Sequence, residues 1–177
     1  MYATTHVIIP LIIIDLIRDY VFKHKHRRII PRKYIFFVGI GGILPDIDIA
    51  IGYLLKLLSV DIPTWLHHGR ITHSIIWPIL LLIIAGFLWE GTKFSKGASK
   101  KEHHHWFLIL TLVAVGILSH IFLDGLAGNT TPYYPLSQAV AFGAQRVHQL
   151  GMVSLDAIIL LVWLFHEEWR HNIKKFF

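Results

Sequence analysis

The chain has no cysteine. That excludes disulfides and thiolate metal sites, so any metal must be held by imidazole and carboxylate, a donor set that suits zinc, manganese or iron better than soft copper(I). Charge is scarce too. Asp, Glu, Lys and Arg make up 16% of the 177 residues, against about 25% in soluble domains. Hydrophobic residues fill 54%, above the usual ~45–50%, and the mean hydropathy is +0.56. Both departures point toward lipid. The first apolar run has no basic segment ahead of it and contains Asp15, so no cleavable signal peptide is expected.

Five apolar runs cover approximately residues 3–22, 34–58, 74–91, 106–124 and 152–167. A spanning helix needs about 20 mainly apolar residues. The third and fourth runs fit well. Asp15, Arg18 and Asp19 interrupt the first, Pro45 and two aspartates interrupt the second, and the fifth is short with Asp156 near its start. The expectation is one all-α domain over 1–177, a polytopic membrane bundle of about five helices, some broken or half-buried. No internal repeat is visible.

Charge sets the orientation. Segments 23–33 and 92–105 and the tail after 167 carry six, four and three Lys or Arg. The alternate segments carry only Arg70 and Arg146. The positive-inside rule puts the basic loops and the C-terminus in the cytoplasm and the N-terminus outside, for a multi-pass inner-membrane protein. With net charge +6 clustered between apolar runs, the basic residues are expected to meet anionic lipid headgroups rather than nucleic acid.

This orientation gathers the polar residues of the runs on one side. His6 lies at the outer end of the first run, His68 and His73 in an outer loop, and His120 and Asp124 at the outer end of the fourth run. His148 and Asp156 lie in or beside the last outer segment. Asp46 and Asp48 sit deeper, beside Pro45, where a helix break is expected. Ionisable groups near hydrocarbon are costly and usually serve a function.

Each constellation has two readings. His120 and Asp124, four apart, share a helix face and either hold one cation or form a hydrogen-bonded pair. Pro45-Asp46-Ile47-Asp48 presents two carboxylates that do not ionise cheaply together without a cation; otherwise one of them caps a helix. His67 to Ser74 packs histidines around Arg70 and Thr72. Arg70 has the planar fork that binds a phosphate or carboxylate. His103-His104-His105 falls on the basic side and reads as a solvated or interfacial loop, as do His24, His26, His166 and His171.

Taken in order, Thr5-His6, Pro45-Asp46-Ile47-Asp48, His68 to Ser74, His120-Ile121-Phe122-Leu123-Asp124 and Tyr134-Pro135 resemble the LexA-regulated, membrane-bound, metal-dependent hydrolase family (YdjM-like). That family is remotely similar to zinc-dependent phospholipases C. The resemblance covers roughly residues 4–160. It implies His6, Asp46, His68, His73, His120 and Asp124 as metal-site residues, with Asp48 close behind. Family members often read His-Arg-Gly where this chain has His68-Gly69-Arg70, so Arg70 is aimed differently.

The implied function is a membrane-bound hydrolase that cleaves a lipid or lipid-linked phosphoester with water activated by a divalent metal, zinc first and manganese or iron next. Catalytic roles fall to Asp48, as metal bridge or proton acceptor, and to Arg70, as phosphate holder. Two rivals stand beside it. Intramembrane His and Asp also mark ion or metal transporters and channels, and a closed four-coordinate metal staples helices without catalysis.

Overall fold

A computed structural model describes residues 3–25, 30–127, 131–137 and 149–171. These form six α-helices, three one-turn 3-10 segments and no strand. The helices are α1 (Ala3–Lys25), α2 (Arg32–Ile43), α3 (Ile47–Leu57), α4 (Ile76–Phe94), α5 (Gly97–Ala127) and α6 (Gln149–His171). A 3-10 turn, Leu44–Asp46, joins α2 to α3. The two therefore make one broken apolar stretch, and the all-α bundle of five apolar helices is as expected.

Among the described residues, three stretches are long and apolar enough to cross a membrane: Arg32–Leu57, Ile76–Phe94 and Gly97–Gly125. The polar interruptions at Asp15, Arg18 and Asp19 keep α1 below that mark. In α1, Arg18 pairs with Asp15 at 3.0 Å and with Asp19 at 2.6 Å, which offsets the cost of placing these groups in an apolar helix.

One expectation fails. The basic-side histidines do not lie in loops: α5 begins at Gly97 and carries His103, His104 and His105 in helix, His24 lies in α1 and His166 and His171 in α6, while His26 lies outside the described residues. Ser, Lys, Glu and His tolerate helix well enough to extend an apolar core beyond the reach of hydropathy. His103 Nδ1 lies 2.7 Å from the carbonyl of Ser99, and His105 pairs with the Tyr34 hydroxyl. Two of the three imidazoles are thus used in helix packing.

Helix α5 is central, with α4 along one side and α2 along another, while α1 packs on α2 and α6 touches α1. Ile14 of α1, Tyr34, Ile35 and Val38 of α2, and Leu108, Ile109 and Leu112 of α5 form the core. Glycine brings these backbones close. A Cβ on Gly116 would stand 2.2 Å from the carbonyl oxygen of Val38, and one on Gly42 would stand 2.1 Å from that of His6. Such near approach is the usual use of small residues between membrane helices. Pro10, fully buried inside α1, has no N–H to give the His6 carbonyl four residues back, and α2 packs Gly42 against that carbonyl.

Candidate metal centre

Four helix ends meet at one end of the bundle. His6 opens α1, Asp46 follows α2, His73 precedes α4, and His120 and Asp124 close α5. The 3-10 turn at Pro45 is the break that lets Asp46 and Asp48 both face inward. His73 and His120 are fully buried, and His6 and Asp124 are almost so.

His120 Nδ1 lies 2.7 Å from the carbonyl oxygen of Gly42. A carbonyl only accepts, so Nδ1 carries the proton and Nε2 the lone pair. At His73 the Thr72 hydroxyl donates to Asp48 Oδ2 at 2.7 Å. His73 Nδ1 stands 3.0 Å from that hydroxyl oxygen and 3.4 Å from Asp48 Oδ2. Both neighbours accept, so His73 Nδ1 carries a proton and Nε2 is the atom left to bind a metal. The two Nε2 atoms then face each other across 3.1 Å. At that distance a cation lies between the two nitrogens: either a proton held by His73 or a metal ion that replaces it.

Two carboxylates complete the set. Asp46 Oδ1 is 3.8 Å from His73 Nε2 and 3.5 Å from His120 Nε2. Asp124 Oδ2 is 3.5 Å from His73 Nε2 and 3.4 Å from His120 Nε2. Donor atoms ~2.0–2.1 Å from a tetrahedral zinc lie about 3.3–3.4 Å from one another. These five separations, 3.1 to 3.8 Å, lie near that edge length, so the four residues fit a small divalent cation after slight closure.

His6 belongs to a second group with His120 and Asp124. Its Nε2 is 3.1 Å from Asp124 Oδ1 and its ring stacks on His120 at 3.9 Å. Its buried Nδ1 has no hydrogen-bond partner among the described residues. Asp124 thus points one oxygen at the first group and one at the second. His68 joins Asp46, His73 and Asp124 in the first group from its open side, with 43% of its side chain exposed.

Asp48 enters neither group. It is buried behind the histidines, receiving His68 Nδ1 at 3.1 Å on one oxygen and the Thr72 hydroxyl on the other. This is the position of a carboxylate that orients metal-binding imidazoles. Burial disfavours a charge on His73, but hydrogen bonds with Asp124 and Asp48 outweigh it and push its pKa up to about 9. The surroundings therefore favour positive charge at this point.

The loop bearing His68 and His73 is held from outside. Gly69 adopts a left-handed φ of 82°, open to glycine at little cost. Its carbonyl accepts from Thr131 N at 2.9 Å and Thr131 Oγ1 at 3.0 Å. Ile75 N donates to the Pro132 carbonyl at 2.9 Å, and the Ser74 hydroxyl to that of Tyr134 at 2.7 Å. The Thr131 to Pro135 segment is thus a buttress under the loop. Arg70 is half-buried, and its guanidinium makes no hydrogen bond or ion pair among the described residues.

The family model of the YdjM inner membrane protein matches residues 1–176. The chain belongs to the YdjM inner membrane protein family. Its place in a membrane follows from that membership and from the apolar helices. No curated protein and no solved structure matches the chain.

The six residues expected at the metal site in this YdjM-family chain fall in the two groups. Asp48 touches the same cluster from behind. His148 and the side chain of Asp156 lie outside the described residues. Sequence reasoning missed the Gly42 carbonyl and the Thr72 hydroxyl as orienting groups. Thr72 adjoins a candidate histidine and was a visible signal; a backbone carbonyl leaves none.

Proposed function

We propose that the protein is a membrane-bound metal-dependent hydrolase that cleaves a phosphoester of a lipid or lipid-linked substrate. The observation that carries this reading is the pair of inward Nε2 atoms on His73 and His120, 3.1 Å apart, closed by Asp46 and Asp124. Zinc is the preferred ion for this nitrogen and oxygen donor set, with manganese or iron next. When bound, such an ion lowers the pKa of a water to about 7 and polarises a phosphoryl oxygen.

The chain's own residues supply the rest. Asp46 keeps 16% of its side chain exposed and is the carboxylate available to take a proton from water; both oxygens of Asp48 are engaged. Arg70 presents a guanidinium for the phosphate. The preference for a phosphoester rests on the family's remote resemblance to zinc-dependent phospholipases C, whose zinc is held by histidines, aspartates and a His-x-x-x-Asp pair such as His120 and Asp124 form here. The asymmetry of basic residues supports a centre at the outer face, with the basic loops against anionic headgroups inside.

The test is metal analysis of the purified protein, followed by assay of the zinc- or manganese-loaded form on a phospholipid and on a soluble phosphodiester. Hydrolysis that disappears in His73→Ala and Asp124→Ala supports the reading. Metal content unchanged in both variants overturns it. A structural role for the ion has one observation in its favour, the near-complete burial of His6, His73, His120 and Asp124. It predicts a metal-loaded protein that cleaves neither probe.

A further inference from the structure

Resting on the hydrolase reading, we propose that the substrate is a phospholipid that reaches the centre sideways from the bilayer, its tail lying against Ile43, Leu44 and Ile47. Of the candidate ligands, only Asp46 and His68 have appreciable surface. The centre therefore opens where those two residues emerge. The immediate surroundings of Asp46 are apolar. Ile43 stands one 3-10 turn before it, a spacing at which side chains eclipse, and Ile47 follows directly. Ile43 and Ile47 are about half exposed and Leu44 more than a third.

Helix α3 continues this face. It buries Asp48 and Gly52 and turns Ile49, Ile51 and Leu54 outward. These residues belong to the apolar stretch Arg32–Leu57, so the rim of the centre lies along a segment suited to hydrocarbon. A water-soluble phosphoester would have to pass that rim at a desolvation cost. An amphiphile would not. Its phosphate would meet the centre and Arg70 while its tail stayed in apolar surroundings. In the reaction, water oxygen bonds to phosphorus, one phosphorus–oxygen ester bond breaks, and the departing alcohol takes the proton.

The test uses the full chain in phosphatidylethanolamine vesicles doped with a phospholipid that carries a diazirine in its acyl chain. Cross-links mapped by mass spectrometry should favour residues 43–51 over Phe87, on the outward face of α4, by about tenfold, the ratio that 1.4 kcal/mol of preferential docking gives. Chelation of the metal should reduce that preference. In Ile47→Trp, whose indole overfills the rim, labelling of 43–51 should fall about tenfold while metal content, read in the same sample, shows the fold intact. Gly86→Ala, where an added Cβ meets nothing within 4 Å, should keep the labelling.

Labelling spread evenly over α3 and α4, or unaltered in metal-loaded Ile47→Trp, overturns the lateral route even if both phosphoesters are cleaved. Focal labelling with no hydrolysis of either phosphoester overturns the hydrolase reading and leaves the lipid docking surface standing.

Discussion

His73 Nε2 and His120 Nε2 lie 3.1 Å apart, each ring turned there by a partner on its other nitrogen. The turn before α4 and the end of α5 thus meet at one point through two imidazole nitrogens. An ion shared between them ties two separate parts of the chain, so its removal should loosen the bundle. His120→Ala should lose bound zinc, and added zinc should raise the melting temperature of the parent but not of the variant, as mass action on a folded-state site requires. Thermal unfolding in detergent with and without zinc checks this.

Asp48 engages His68 with one oxygen and the Thr72 hydroxyl with the other. In Asp48→Asn the amide no longer holds His68 and His73 in the same tautomers, and metal affinity should drop by about 10–100-fold, the usual effect of losing such a partner. The helical content should not change. Competition with a chromophoric chelator measures the affinity, and circular dichroism the fold.

Metal affinity should rise with pH. The His73 pKa is pushed up to about 9, so below that value the imidazole holds a proton that the metal must displace. Affinity should climb by roughly tenfold per pH unit while one proton is released per ion bound. Calorimetry of zinc binding in two buffers of different ionisation enthalpy counts that proton. A flat profile between about pH 6 and about pH 8 contradicts the assignment of His73 as a ligand.

Gly42→Ala should act on both fold and site. The added Cβ would lie 2.1 Å from the His6 carbonyl oxygen, and backbone on both sides leaves no flexible side chain to yield. Overpacking of this kind costs about 1–3 kcal/mol or more. The shift of α2 also moves the carbonyl that orients His120, so metal affinity should fall with the melting temperature. Gly86→Ala, where a Cβ meets nothing within 4 Å, is the control that should change neither.

The buttress makes a smaller claim. Ser74→Ala removes the hydrogen bond to the Tyr134 carbonyl and should cost about 0.5–1.5 kcal/mol. Hydrogen exchange should then quicken at Ile75, whose amide bonds the neighbouring Pro132 carbonyl.

Much of this was legible in the sequence because membranes make polarity expensive. His6, Asp46, His68, His73, His120 and Asp124 were visible as costly groups near apolar runs, and the Lys and Arg alternation gave their common side. The break at Pro45 was readable from the proline. Less visible was what depends on how close backbones come. Nothing in the sequence marks Gly42 as a contact with α1 and a hydrogen-bond acceptor for His120. Asp48 read as chemically active because its spacing from Asp46 says nothing about Thr72, which lies 24 residues on and engages it. The early start of α5 was hidden because Lys100 to His105 is polar, and hydropathy is blind to a polar helix.

The convergence of four helix ends sets the timetable of assembly. His6, Asp46 and His73 emerge early in synthesis, but the donor set closes only when Asp124 has been made and α5 inserted. The ribosome must therefore add over two-thirds of the chain before an ion can be caged. On the metal-site reading, capture of the ion is a late event in biogenesis, and a chain arrested before residue 124 should leave the translocon without one.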